Sequence, residues 1–306
     1  METDNFFIFS ITGGAGKNVL ATAVVKAIKK AYPETNIIIL TAHRDVWLYN
    51  PNVYRIYVHG NTPNFYQDYI KDKKNVKVFC IDPYFTNDYI LKKKHLIEIW
   101  CDLINVPYNN EKPELFFNQR EVEFVKNFYN INNSSKIFII QTNGGTQTDV
   151  KISWMRDLPM DIAQKVVNKY FNEGYRVIHI RRDDQPTLNN TEQFVGGLRE
   201  LFSIIRFSQK RLFIDSVSQH IASALQKEST VVWVRNSPEV LGYSFHDNIV
   251  TKAEDEIDML PNAGTFEPYD ITGNIYQCPF KEGTKLFDEE EIIESINKQQ
   301  NTIELI

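Results

Sequence analysis

The chain has 306 residues, a formal net charge of −5, 42% hydrophobic and 13% aromatic residues. That length allows two ordinary domains or one large one, with apolar content enough for a filled core. The acidic balance argues against non-specific nucleic-acid binding, and no apolar run nears the roughly 20 residues that span a bilayer.

In chain order, the apolar run over residues 6–11 predicts a buried parallel strand. Gly13, Gly14 and Gly16 follow at once, with Lys17 and Asn18 beside them. Val19, Ala23, Ala27 and Ala31 then recur at helical spacing until Pro33. Strand, glycine-rich turn and helix together form an anion-binding candidate, because free N–H groups at a helix start favour phosphate. The same pattern also suits a tight turn with no ligand.

Further strands are expected over residues 36–40, 55–58 and 76–81, with short helical pieces between them. This alternation predicts a parallel α/β sheet whose ligands sit at the carboxyl ends of the strands. One rim would then gather the glycine turn, Asp45 and Asp82. Helices are expected over 93–106 and 120–129, followed by a polar linker near residue 131.

The second half repeats the theme. A strand over 136–140 opens on Asn143, Gly144 and Gly145, with Lys151 downstream. A helix over 161–171 leads to a strand over 175–180, which leaves Arg181 and Arg182 at its carboxyl end beside Asp183 and Asp184. A helix and a short strand are expected over 198–205 and a strand over 211–214. The stretch DSVSQHIASAL from Asp215 follows that strand. Asp215 or Ser216 suits a helix cap, and Gln219 and His220 would lie in the first turn, within reach of an anion. A strand over 230–234 and a last acidic helix over 289–298 complete the reading. Two similar α/β halves predict a cleft between them.

The order GGxGxxxxAT with AIKKAYP, then a glycine loop and Trp154, then DSxxxHxxxAL, resembles the ADP-heptose:lipopolysaccharide heptosyltransferases and their relatives. These are family-9 glycosyltransferases of the GT-B fold, and the resemblance covers roughly residues 6–250. It implies an α/β, GT-B-like chain. Residues 1–131 would form an acceptor domain, 132–285 a nucleotide-sugar donor domain, and 286–306 a helix packing back on the first. It also implies that Asp215, Ser216 and His220 line the donor diphosphate. Val217 stands where the family usually has glycine, and Lys151 lies one residue from the donor-phosphate lysine. Lys17 stands where the family has an aspartate base; a protonated lysine cannot be that base.

Asp82 and Asp45 are therefore candidate bases. Alternatively Lys17 binds phosphate, or the chain binds sugar nucleotides without catalysis. A rival reading takes GGAGKN as a deviant P-loop of a nucleotide hydrolase or kinase, with Asp82 holding magnesium; Asn18 then replaces the expected Ser/Thr. The resemblance implies a nucleotide-sugar donor as substrate, no cofactor or metal, and a saccharide or glycolipid acceptor. Nucleic acid is not an expected partner, and membrane contact is expected only through the acceptor. Cys80, Cys101 and Cys278 are widely spaced and suit reduced thiols. Residues 1–7 show no signal pattern, so a cytoplasmic location is expected.

Overall fold

A computed structural model describes residues 5–132, 134–144, 154–253, 280–281 and 283–299. In chain order the first half runs β1 (Asn5–Ile11), α1 (Ala15–Ala31), β2 (Asn36–Thr41), β3 (Arg55–Tyr57), α2 (Phe65–Tyr69), β4 (Asn75–Phe79), α3 (Asn87–Ile90), α4 (Leu96–Leu103) and α5 (Gln119–Phe128). The second runs β5 (Ile137–Gln141), α6 (Met160–Asn172), β6 (Arg176–Ile180), β7 (Glu192–Gln193), α7 (Leu198–Phe207), β8 (Lys210–Ile214), α8 (Val217–Ala224), β9 (Thr230–Trp233), α9 (Pro238–Leu241), β10 (Asp247–Val250) and α10 (Glu289–Lys298).

Among the described residues the strands form two parallel sheets. The first has order β3-β2-β1-β4 and the second β10-β9-β8-β5-β6-β7. Read from β7, the second sheet has the doubly wound order in which the chain reverses direction beside its first strand; the first sheet has the same order truncated after its fourth. The reversal lies between β1 and β4 in one sheet and between β5 and β8 in the other. Ligands of such sheets bind in the crevice outside the strand ends at these points.

The alternation of side chains along a strand explains the layering. Phe7, Phe9 and Ile11 of β1, with Ile137 and Ile139 of β5, join one core shared by both halves. The opposite face of β1, Phe6 and Ile8, packs with Ile38 and Tyr69. α1 lies in the shared core and buries Val19, Ala23, Val24, Ala27 and Ile28, while Lys29 and Lys30 in its last turn complement the helix dipole.

The last helix corrects one expectation. Among the described residues it packs chiefly on the second sheet and α6, where the expectation had placed it on the first half. Its apolar stripe, Ile292 and Ile296, with Phe287 just before it, meets Phe138, Val166 and Tyr170. Lys210 of β8 is buried and donates to the carbonyls of Ile296, Asn297 and Gln299 at 2.9, 3.1 and 3.0 Å, closing the carbonyl end of the helix. Gln299 answers across the strands, accepting from Arg211 N and donating to Arg211 O and Thr230 Oγ1.

Candidate functional site

At the first reversal point the chain leaves β1 through Gly13, whose φ of +90° suits glycine. Gly14 caps α1 and has open space where a side chain would stand. Lys17, only 5% exposed, folds beneath this loop and donates to Asp82 Oδ2 at 2.7 Å. Its ammonium lies 4.6 Å from the centre of the Tyr84 ring and 5.5 Å from that of Trp100. Burial lowers the Lys17 pKa from its ordinary value, opposed by the Asp82 carboxylate. Asp82 follows β4, and its Oδ1 accepts from Tyr84 N at 3.1 Å to cap the turn at Pro83–Phe85. The Asp82 side chain keeps 28% of its surface exposed, so the carboxylate is held in place yet open to solvent.

At the second reversal point Ser216 caps α8. Its hydroxyl accepts from Ser218 N at 3.3 Å and donates to Gln141 Oε1 at 2.6 Å. Ser218 Oγ donates to the same oxygen at 2.7 Å. Gln141 thereby ties the end of β5 to the start of α8. Asn143 Nδ2 and Gly144 N both donate to the Asp157 carboxylate at 2.9 Å, which fixes the exit of β5. Asp215 accepts from Asn236 at Oδ2 and from Arg156 Nη1 at its carbonyl, the latter at 3.5 Å.

The two points face each other. Burial holds the Tyr84 and Tyr89 hydroxyls well above the ordinary phenol range; Tyr89 raises Tyr84 next, the charges of Asp215 and Asp82 raise both, and Arg156 opposes this. Residues of both halves thus act on the same pair of phenols. α1 and α8 also touch near their N-termini. A Cβ on Gly16 would lie 2.9 Å from His220 Cδ2 and 3.5 Å from the Val217 Cα. Gly16 is needed for this close approach, and Val217, expected beside the diphosphate, packs against it.

Several expected site residues have other work. Asn18 is fully buried; its Oδ1 accepts from Thr41 Oγ1 and Trp47 Nε1 at 2.6 and 3.0 Å. It braces α1 against β2 and the 44–47 turn. Its oxygen is thus engaged within the fold, at the position where the P-loop reading expected Ser/Thr. His220 packs against Gly16 of the glycine-rich loop. It is buried, its Nδ1 meets the Tyr243 hydroxyl at 3.0 Å, and desolvation lowers its pKa to about 3, so the ring is neutral. Gln219 is buried and donates to Leu241 O.

Arg181 and Arg182 serve their own loop: Arg181 Nη1 donates to Arg182 O, and Arg182 Nε pairs with Asp184 at 3.0 Å. Asp45 is exposed in the 44–47 turn, and its carbonyl accepts from Arg199 Nη1 at 3.1 Å, on the side of α7. Gly145 and Lys151 lie outside the described residues. The residues that the sequence reading left unmarked are Arg156, Asn236, Tyr84 and Tyr89. Arg156 stands two positions after Trp154 in a stretch without periodicity, and no motif singles it out.

Among the described residues no group of three or more His, Cys, Asp and Glu is placed to hold a metal ion. No helix among them is long and apolar enough to cross a membrane.

No family model matches the sequence, and no curated protein matches it. Solved structures do match the fold. The glycosyl transferase family 9 protein from Veillonella parvula DSM 2008 aligns with a TM-score of 0.68 over 97% of each chain at 13% identity. E. coli ADP-heptose lps heptosyltransferase II aligns at 0.57 over 80% of this chain and 89% of its own, with 12% identity. The E. coli heptosyltransferase WaaC, solved with ADP, aligns at 0.53 over 80% and 93%, with 9% identity. The fold is therefore GT-B-like, that of the family-9 glycosyltransferases.

Proposed function

We propose that the chain is a glycosyltransferase, moving a sugar from a nucleotide-sugar donor to a saccharide hydroxyl. Residues 132–285 would hold the donor, 1–131 the acceptor. One observation carries the reading: the strand-order reversals of both sheets place Lys17 and Asp82 opposite Asp215, Arg156 and the capped start of α8. Support also comes from the solved relatives, one bound to ADP and another named for ADP-heptose. An ADP-heptose-like donor and a saccharide or glycolipid acceptor fit that likeness. The protein would then work in the cytoplasm, meeting a membrane only through its acceptor.

In this reading Asp82 is the base that stands in for the missing carboxylate at position 17. The acceptor hydroxyl donates to Asp82, its oxygen attacks the anomeric carbon, and the proton passes to the carboxylate. The donor C–O bond breaks, and the diphosphate leaves with the electron pair. Lys17, 2.7 Å away, holds the Asp82 carboxylate in place. Positive groups of the second half neutralise the leaving diphosphate, so no metal is needed.

A second reading, a sugar-nucleotide binder without transfer, is favoured by the 2.7 Å Lys17–Asp82 pair itself, because the oxygen that would take the acceptor proton already accepts from the lysine. The test is a thermal-shift screen against ADP, UDP, GDP and their sugars, followed by a transfer assay with EDTA present. A bound nucleotide raises the melting temperature by mass action. No shift at millimolar levels refutes the donor site. A shift without transfer selects the binder. Transfer that requires added magnesium overturns the metal-free mechanism.

A further inference from the structure

Arg156 lies on a segment pinned on both sides. Before it, Met155 O accepts from Arg235 N at 3.1 Å, and Arg235 Nη1 approaches Met155 Sδ at 2.9 Å. After it, the Asp157 carboxylate holds Asn143 and the Gly144 amide, and Leu158 N donates to Thr142 O at 2.9 Å. The Arg156 stem then crosses Gly144 so closely that a Cβ there would overlap Arg156 Cδ. Glycine at 144 therefore serves the arginine and not a ligand directly. The guanidinium ends at the start of α8, where its Nη1 is 3.5 Å from the Asp215 carbonyl. Among the described residues no carboxylate forms an ion pair with it. The guanidinium, close enough to Tyr84 and Tyr89 for its charge to act on both phenols, has donors to spare at the place where the second sheet reverses.

We infer that Arg156 is the cation that grips the donor diphosphate, with Gly144 as the shelf that places it. The inference rests on the donor-site reading above and names the residue that performs it. A guanidinium presents a planar fork to phosphate oxygens, and here its segment is already ordered, so little freedom is lost on binding. Neutralising the diphosphate also stabilises it as a leaving group.

Calorimetric titrations of inorganic pyrophosphate, of ADP, UDP and GDP, and of the nucleoside matching the tightest diphosphate test this. Arg156→Ala should weaken pyrophosphate and diphosphate binding about ten- to a hundredfold, the scale of a lost hydrogen bond to a charged group. It should leave nucleoside binding unchanged. Arg156→Lys should recover part of the loss, having the charge without the fork. Gly144→Ala should reproduce the selective loss by pushing the arginine off its shelf. Wild-type pyrophosphate affinity in Arg156→Ala overturns the assignment, as does an equal loss of nucleoside and diphosphate, which marks a merely structural residue. A wild-type protein that binds none of the four phosphates overturns the donor site itself, and this inference with it.

Discussion

For single residues, the proposed transfer turns on where one carboxylate stands. The resemblance called for an acid at position 17, and the chain has lysine there; the acid sits across the crevice at Asp82, 2.7 Å from that lysine. Both residue types were legible in the sequence, but their pairing was not. They lie 65 positions apart, and only the parallel register of β1 with β4, Phe9 opposite Phe79, brings the two strand ends together. Asp82→Asn keeps the shape and removes the proposed base. It should lower kcat by about 10²–10⁴-fold, the usual share of a general base, with nucleotide affinity nearly unchanged. A variant that retains transfer within threefold of wild type excludes Asp82 as the base. The surroundings of His220 were hidden in the sequence for a related reason. A histidine in the first turn of a helix looks available in the sequence, yet the bare backbone of Gly16 lets α1 close over its ring.

At the element scale, long apolar runs located β1, β2, β5, β6, β8 and β9 within a residue or so. Short polar strands escaped: β7 is Glu192–Gln193, and β10 begins on Asp247 and Asn248. Their pairing supplies what their composition lacks. The helix expected over 93–106 begins instead at Leu96, because Lys92 takes a positive φ of 52° and His95 caps the first turn. The last helix was correctly bounded yet assigned to the wrong half. Its pattern of Ile292 and Ile296 reports that one face is buried, not against what. The partner is decided by Lys210, which no periodicity marks. Lys210→Met should free three carbonyls and cost about 1–3 kcal/mol, read as a lower urea midpoint. A midpoint equal to wild type would show that the apolar stripe holds α10 unaided.

At the scale of the whole molecule the two sheets share one core, and the start of α8 where the halves meet is stocked with neutral histidines. His220 and His246 are buried, and His95 caps α4 beside Tyr243 with a ring-centre separation of 5.4 Å. Desolvation lowers all three, His220 to about 3 and the other two to about 4; His179, bonded to Thr142 beyond β5, is lowered to about 4 as well. Unfolded, each would titrate near its ordinary value of about 6.5. Between that value and the folded ones the unfolded chain binds more protons, so stability falls as pH falls. The contribution of neutral histidines is complete above about pH 6.5 and declines toward pH 4, at up to about 1.4 kcal/mol per pH unit for each ring. Between pH 6.5 and 5 most carboxylates stay ionised, so this slope belongs chiefly to the histidines. Urea unfolding at pH 8, 7, 6 and 5 should show a level midpoint down to pH 7 and a steepening fall below it. His179→Gln, away from the contact between α1 and α8, should flatten the slope by roughly a quarter. A midpoint constant from pH 7 to 5 would mean that these rings are protonated in the folded protein, and that the packing of Gly16 on a neutral His220 is not what closes α1 over α8.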